Sequence, residues 1–193
     1  MADLFARLAA APERARQATS DFDLNPGIVL PEGRVLKPAS VLIGVDDAGH
    51  LLLTQRSARL QHHPGQIAFP GGRQDPEDAD AVVCALREAQ EEVGLPRDAV
   101  EVLGTLPAHE TVTSYTVTPV LARIKPFDPV PEAGEVAEVF RVPLAHVTDP
   151  ARFRVQSRRW KGMPRYYYTV PWGPYYIWGA TARMLRALAE AMA

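Results

Sequence analysis

The stretch PGGRQDPEDADAVVCALREAQEEVGL, residues 70–95, joins a Pro-Gly-Gly turn to a short segment that is dense in charged residues. Its apolar residues repeat at steps of three and four, at Val82, Leu86, Ala89 and Val93. This spacing predicts an α-helix over 79–93, with Asp78 as its N-cap and Gly94 just beyond its end.

The acids of this helix are unevenly distributed around its axis. At about 100° per residue, Glu88 and Glu92 fall together on one flank, while Glu91 lies near the exposed pole beside Arg87. Arg87 and Glu91 therefore form a favourable pair one turn apart, whereas Glu88 and Glu92 form a pair of like charges that costs stability.

A hard divalent cation would resolve this repulsion. Magnesium binds oxygen ligands, usually one or two carboxylates together with waters and substrate phosphates. Glu88 and Glu92 present their oxygens to one point, and Gly72 offers a main-chain carbonyl from a turn whose dihedral angles glycine permits. We therefore predict a Mg²⁺ or Mn²⁺ site here. The alternative, a solvated acidic helix face, is common on helices in general.

Length and composition exclude several classes of protein. The 193 residues suffice for one domain with a sizeable core and are few for two. A formal charge of −2 gives no basic excess for nucleic-acid binding. The lone cysteine, Cys84, forms no internal disulfide, and no apolar run approaches the length of a membrane span. We expect a cytoplasmic protein that binds neither nucleic acid nor membrane.

Strand and helix patterns are mixed without regular alternation, which favours an α+β or layered α/β/α domain. The two apolar runs of 40–56 flank Asp-Asp-Ala-Gly and predict a hairpin, and the long loop over 57–72 is expected to be functional. We expect one domain over 1–193, with an N-terminal helix and extension (1–37), a core (38–178) and a C-terminal helix (179–193).

The segment REAQEEVGL, residues 87–95, resembles the second half of the Nudix box, Gly-x5-Glu-x7-Arg-Glu-U-x-Glu-Glu-x-Gly-U, where U is aliphatic. The first half departs from the pattern. Gly72 lies fifteen residues before Arg87 instead of fourteen, and Ala79 stands at the position of the first box glutamate. The resemblance implies the Nudix fold, an α/β/α sandwich with a mixed sheet and a catalytic loop and helix, but gives no residue here the role of that glutamate.

The preceding segment LLTQRSARLQHHPGQIAFPGG, residues 52–72, resembles the signature of the coenzyme A pyrophosphatase branch of Nudix hydrolases. The match is in register except at Gln61, where the signature has its second arginine. The similarity covers about residues 38–190. It implies a metal-dependent hydrolase that cleaves the diphosphate of coenzyme A or its derivatives, releasing 4′-phosphopantetheine and adenosine 3′,5′-bisphosphate.

Two other functions remain open at this point. One is a Nudix hydrolase of another nucleoside diphosphate derivative, such as ADP-ribose or a dinucleoside polyphosphate. The other is a non-catalytic Nudix domain that senses a ligand, although the retained acids at 88, 91 and 92 argue against it.

The resemblance also implies roles for the acids. Glu88 and Glu92 are the expected principal metal ligands with the Gly72 carbonyl, and Glu91 is either a further ligand or is oriented by Arg87. Of the three acids in EAGEVAEVF (132–140), Glu135 is the expected catalytic base, with Glu88 as the other possibility.

The 3′-phosphate of coenzyme A calls for cationic side chains, because arginine binds phosphate in a bidentate manner. Residues expected to bind substrate are Arg56, Arg59, Gln66, Phe69 and Arg73. His62 and His63 are adjacent, so at most one of them faces the site, and we interpret both as surface residues. The aromatic residues of 166–168 and 172–178 suit either adenine stacking or a core and a homodimer interface.

Overall fold

The computed structural model describes residues 2–160 and 162–193. The helices are α1 (Ala2–Arg14), α2 (Ala81–Val93), α3 (Leu144–Val147) and α4 (Ala180–Ala191). The strands are β1 (Thr19–Ser20), β2 (Lys37–Asp46), β3 (His50–Arg56), β4 (Ile67–Ala68), β5 (Gly71–Arg73), β6 (Val100–Thr105), β7 (His109–Glu110), β8 (Tyr115–Ile124), β9 (Val136–Pro143), β10 (Arg154–Trp160) and β11 (Met163–Thr169). None of these helices is long and apolar enough to cross a lipid bilayer.

Strands β1–β9 of the described chain form one mixed sheet around the parallel pair of β2 and β8. The predicted hairpin joins β2 to β3, which pairs on its other side with β9 in antiparallel register. Strands β6 and β7 pair antiparallel with β8. The short β5 pairs with the start of β2, which brings the Pro-Gly-Gly turn onto the sheet.

Helices cover both faces of this sheet. Successive side chains of β2 point to opposite faces, so Leu42 packs in a cluster with α2, while Ile43 packs in a second cluster with α1 and α4. Leu42 and Ile43 are both fully buried. Burial on both faces explains why this strand reads as a continuous apolar run. The fold is the α/β/α sandwich expected from the sequence.

Strands β10 and β11 form a separate two-stranded hairpin beyond the sheet. Every residue of β10 is exposed. The register places Arg158 directly opposite Arg165 and Gln156 opposite Tyr167. The hairpin therefore carries arginine and aromatic side chains on an arm outside the main core.

The start of α2 differs from the sequence prediction. The helix begins at Ala81 instead of 79, and its N-cap is Asp80, whose carboxylate accepts a hydrogen bond of 2.9 Å from the Val83 N–H. The prediction of Asp78 as the cap was wrong, because that side chain turns inward and pairs with Arg87. The end of the helix is as expected, with Gly94 in the left-handed conformation.

Candidate active site

The turn before α2 brings main chain and carboxylate into close contact. A Cβ atom placed on Gly72 would lie 2.5 Å from the carboxylate of Glu88, and one on Gly71 would lie 2.3 Å from the Ser40 carbonyl oxygen. Only glycine leaves room at both positions. Gly72 therefore permits the Glu88 carboxylate to lie against the backbone of β5, as the predicted metal site requires.

Glu92 lies deepest in the acidic cluster, with 5% of its surface exposed. The Gly71 N–H donates a hydrogen bond of 3.1 Å to its Oε2 atom. Burial, with a smaller effect from the charges of Glu88 and Glu135, raises the pKa of Glu92 to about 7, although the Gly71 hydrogen bond and the charge of Arg56 act in the opposite direction. The carboxylate is thus held in place by a backbone donor without being neutralised by a bound cationic side chain.

Glu88 lies in a similar environment. Burial is the main cause that raises its pKa, Arg87 opposes that effect, and Glu91 and Glu135 add to it. Each acid of the cluster therefore disfavours ionisation of the next. A bound divalent cation would remove this repulsion.

Arg87 organises the exposed side of the cluster. Its Nη1 atom donates hydrogen bonds of 3.0 Å to Glu88 and of 3.0 Å to Glu91, the latter being the pair expected from the helix spacing. Its Nη2 atom donates to the Arg73 carbonyl at 3.2 Å, which ties α2 to the residue that follows the Pro-Gly-Gly turn. Glu91 is exposed, and Arg87 holds its carboxylate at the surface of the helix.

Asp78 is a site residue that the sequence reasoning missed. Its buried carboxylate accepts two hydrogen bonds from Arg87, of 3.0 Å to Nε and 2.8 Å to Nη2. These bonds are the main cause that lowers the pKa of Asp78 to about 2. Counting forward from Gly72, instead of backward from Arg87, places the first box acid on Asp78, so the extra loop residue lies between 78 and 87.

The loop that carries the candidate base is fastened to the end of α2. The Val130 N–H donates to the Val93 carbonyl and the Glu132 N–H donates to the Glu92 carbonyl, both at 2.9 Å. Glu135, three residues further along, raises the pKa values of both Glu88 and Glu92 through its charge. It is therefore within electrostatic range of the two acids.

The contacts separate the three glutamates of this loop. The Glu132 carboxylate accepts the N–H groups of Gly134 (2.8 Å) and Glu135 (2.7 Å), which closes the turn. Glu138 accepts a hydrogen bond of 2.6 Å from the Tyr175 hydroxyl. Among the three, only the carboxylate of Glu135 has no hydrogen bond to another described residue. Its negative charge raises the pKa values of Glu88 and Glu92.

The residues expected to bind substrate divide into two groups. Arg56 ends β3 beside the cluster, where its charge lowers the pKa of Glu92, and its buried Nε atom has no hydrogen-bond partner in the described chain. Arg59 and Arg73 are exposed. Gln66 and Phe69 instead line a cavity of about 440 Å³, which we call the side cavity.

His63 also lines the side cavity, whereas His62 does not. Both histidines are exposed, which agrees with their interpretation as surface residues. The backbone of His63 is in the left-handed region, with φ of 55°, which is uncommon for a residue other than glycine. Burial is the main cause that lowers the pKa of His63, and the charge of Arg56 contributes.

The donor set fits a hard cation. Among residues 2–160 and 162–193, no three His, Cys, Asp or Glu side chains converge closely enough to hold a metal ion by themselves. The available set is the carboxylates of Glu88 and Glu92 with the main chain at Gly72, all of them oxygen ligands. Magnesium sites that bind substrate phosphates characteristically use one or two carboxylates and leave the remaining positions open.

Comparisons with known proteins identify relatives of the whole core. Residues 36–166 match the family model described as NUDIX domain. The Nudix hydrolase NudL of Escherichia coli (strain K12) is 45% identical over 140 residues, which cover 72% of this chain and 73% of that protein. NudL of Citrobacter koseri is 43% identical over 156 residues, covering 79% and 81% of the two chains.

Among solved structures, a binary complex of the C. elegans Ap4A hydrolase matches with a TM-score of 0.48 and 23% identity, over 55% of this chain and 80% of that chain. The Nudix hydrolase RenU of M. smegmatis matches with a TM-score of 0.47 and 28% identity, over 59% and 73%.

Proposed function

Because the chain belongs to the Nudix hydrolases, enzymes that cleave pyrophosphate bonds with the help of divalent cations, we propose that it hydrolyses the diphosphate of coenzyme A or its derivatives. The products are 4′-phosphopantetheine and adenosine 3′,5′-bisphosphate. The cation is Mg²⁺ or Mn²⁺. The observation that carries the proposal is the repelling pair of Glu88 and Glu92 beside Gly72, next to a segment at 52–72 that follows the coenzyme A signature.

The chain's own residues have distinct tasks in this reaction. Glu88, Glu92 and the Gly72 carbonyl would hold the cation, which would supply neutralisation of phosphate charge and a lowered pKa for a water molecule. Arg87 holds Glu88 and Glu91 in fixed positions through its hydrogen bonds. The buried carboxylate of Asp78 in turn fixes the guanidinium of Arg87.

We assign proton abstraction from the attacking water to Glu135. A general base must reach the water while remaining free of competing hydrogen bonds. Glu132 and Glu138 each accept hydrogen bonds from neighbouring groups, as described above. Glu135 is within electrostatic range of both predicted metal ligands, and its loop is fastened to α2 by the backbone bonds of Val130 and Glu132.

Arg56 is assigned to the scissile diphosphate. Its charge acts on Glu92, and its buried Nε donor lacks a partner among the described residues, so an anion bound beside the cluster would satisfy it. This position differs from the sequence expectation, in which Arg56 was a candidate for the 3′-phosphate. Arg59 and Arg73, being exposed, remain candidates for contacts at the rim.

The decisive test is direct. The purified protein is incubated with Mg²⁺ and, separately, with coenzyme A, ADP-ribose or a dinucleoside tetraphosphate, and the products are separated by chromatography. We expect coenzyme A to be cleaved fastest and to yield the two products named above, with Glu92→Gln as the inactive control. Cleavage of ADP-ribose or the tetraphosphate without cleavage of coenzyme A would refute the substrate assignment and support the other branch of the family.

We also propose that the protein forms a homodimer through the β10–β11 hairpin, which exposes apolar surface at Val155 (52%) and Met163 (64%). Light scattering after size exclusion should give twice the chain mass of 21.2 kDa. A Met163→Glu variant should give the monomer mass. A monomeric wild-type protein would refute the dimer.

A further inference from the structure

The side cavity lies directly beside the catalytic turn. Gln66, Ile67, Ala68 and Phe69 line it, and the hairpin of β10 and β11 contributes further lining residues. Three residues of chain separate Phe69 from Gly72, and an extended chain spans at most about 3.6 Å per residue. Phe69 is therefore within about 11 Å of the turn that supplies the predicted metal ligand.

The cavity holds two arginines that repel each other. Arg158 and Arg165 lie directly opposite on the hairpin and both line the cavity. Like charges in directly opposite positions of a strand pair are destabilising. Burial is the main cause that lowers the pKa of Arg165, and the charge of Arg158 acts in the same direction. Arg158 and Arg165 thus form a pair of like positive charges, as Glu88 and Glu92 of α2 form a pair of like negative charges.

Only one of these two arginines, Arg165, has a carboxylate within ion-pair distance among the described residues. Asp21 lies 3.6 Å from the Nη2 atom of Arg165 and also lines the cavity. The Nε atom of Arg165 is nevertheless buried without a hydrogen-bond partner in the described chain. For Arg158, no carboxylate of residues 2–160 or 162–193 lies within ion-pair distance. A buried donor without a partner indicates a site for an anion, and the exposed guanidinium of Arg158 lies opposite it, where it can reach the same anion.

Aromatic rings complete the cavity. The guanidinium of Arg158 lies 5.5 Å from the ring centroid of Trp178, and the rings of Trp178 and Tyr167 are 5.1 Å apart. Both rings line the side cavity. A flat apolar group with an attached anion satisfies such a combination, and a phosphorylated purine nucleoside has this chemistry.

The cavity is also electrostatically connected to the catalytic cluster. His63, in the cavity wall, is within range of the charge of Arg56 and of Asp21. Arg56 in turn acts on Glu92. The charge of Arg56 therefore acts both on a residue of the side cavity and on a residue of the acidic cluster.

We propose that the side cavity binds the 3′-phosphoadenosine half of the substrate, with Arg158 and Arg165 on the 3′-phosphate and the rings of Trp178 and Tyr167 against the adenine. This inference rests on the proposed function in naming the substrate. It assigns the 3′-phosphate to the hairpin instead of to the arginines of the 56–73 loop.

The test compares ligands that differ only by the 3′-phosphate. For the wild type and Arg158→Ala, kcat/KM is measured with coenzyme A and with dephospho-coenzyme A, and the affinities for adenosine 3′,5′-bisphosphate and AMP are measured by calorimetry. We expect Arg158→Ala to reduce the preference for the 3′-phosphorylated member of each pair by about tenfold or more, as the loss of charge-assisted hydrogen bonds implies. Arg158→Lys should recover part of this preference.

Arg159→Ala is the matched control. Arg159 is the next residue of β10, is exposed, and does not line the side cavity. The Arg159→Ala variant also removes one positive charge from β10, but it leaves the lining of the side cavity unchanged. Its preference for the 3′-phosphate should therefore stay within about twofold of wild type. An equal loss in Arg158→Ala and Arg159→Ala would overturn the proposal, because it would show a general charge effect.

The outcomes separate this inference from the proposed function. If coenzyme A is cleaved but Arg158→Ala affects both members of each pair equally, the side-cavity assignment fails and the proposed function stands. If coenzyme A is not cleaved but adenosine 3′,5′-bisphosphate binds more tightly than AMP in an Arg158-dependent manner, the phosphate subsite stands and the proposed function fails.

Discussion

Replacing Glu92 by glutamine should make the metal-free protein more stable while abolishing its activity. Burial and the neighbouring acids raise the pKa of Glu92 from 4.5 to about 7, and each pKa unit corresponds to about 1.36 kcal/mol. Ionisation of this one carboxyl therefore costs the folded state up to about 3 kcal/mol at high pH. Glutamine removes that charge and keeps an oxygen that can accept from the Gly71 N–H.

The sign of the pH dependence follows from the raised pKa. Below pH 4.5 the carboxyl is protonated in both the folded and the unfolded state, so wild type and variant should have similar stability. As the pH rises toward 7 the unfolded chain ionises first, and the free energy of unfolding of the wild type falls relative to that of Glu92→Gln. Above about pH 7 the difference should be constant, at up to about 3 kcal/mol.

The assay is urea denaturation followed by circular dichroism between pH 4.5 and 8, with a chelator present. Glu91→Gln is the control: it neutralises the preceding acid, which is exposed and paired with Arg87, and should change stability by no more than about 1 kcal/mol at any pH. Excess Mg²⁺ should then raise the midpoint of the wild type but not that of Glu92→Gln, because only the intact site binds the ion. Turnover of the variant should fall at least about a thousandfold.

A Glu92→Gln protein that is less stable than the wild type at pH 8 without metal would refute this reasoning. That result would mean that the carboxylate contributes net stabilising contacts in the folded state. A fully active variant would refute the assignment of Glu92 as a metal ligand, whatever its stability.

Three further predictions concern the neighbouring residues. Gly72→Ala should lower kcat at least about a hundredfold and abolish stabilisation by Mg²⁺ in thermal melts, because its Cβ would meet the Glu88 carboxylate; a normal response to the metal would contradict this. Asp78→Asn should lower stability at pH 7 by about 3 kcal/mol in urea titrations, because it breaks the buried pair with Arg87. This loss should disappear as the pH falls from 3.8 toward about 2, since the folded pKa of Asp78 is lowered, and a constant difference would exclude the pair as its cause. Glu135→Gln should reduce kcat by about 10²–10⁴-fold in steady-state assays, while a loss of less than about tenfold would assign the base to Glu88.

Local sequence patterns predict the catalytic helix well. The step of three and four residues fixes its buried face, and the same spacing predicts the contact between Arg87 and Glu91, which the structure places at 3.0 Å. The left-handed Gly94 follows from the helix end signal. These features depend on residues within one or two turns of each other, where helix geometry alone determines position.

The sequence is less informative where two local solutions compete. Asp78 and Asp80 are both acceptable caps by residue type, and the choice between them depends on Arg87, which lies on the next turns of the helix and draws Asp78 inward. Among Glu132, Glu135 and Glu138, the sequence resemblance favours Glu135 as the base, but only the folded chain shows that the other two carboxylates accept hydrogen bonds from neighbouring groups.

The pairing of Arg158 with Arg165 lay outside any local prediction. Arg158 and Arg165 are about ninety residues from the turn in sequence, and nothing in the local sequence pattern predicts that the two are neighbours. Only the cross-strand register and the shared cavity bring the two charges together. The aromatic residues of 172–178 could equally have been core or interface residues, and the fold decides that Trp178 faces the cavity.

The two backbone hydrogen bonds that join the 130–132 segment to the last turn of α2 have a mechanical consequence. They tie the end of the helix that carries the predicted metal ligands to the loop that carries the candidate base, so fraying of that turn would displace both at once. On heating, activity should therefore be lost when these two hydrogen bonds break, at a lower temperature than the unfolding of the sheet. Shortening or lengthening the chain between Val130 and Glu135 by one residue should change the distance between Glu135 and the acids of α2 while leaving the core intact.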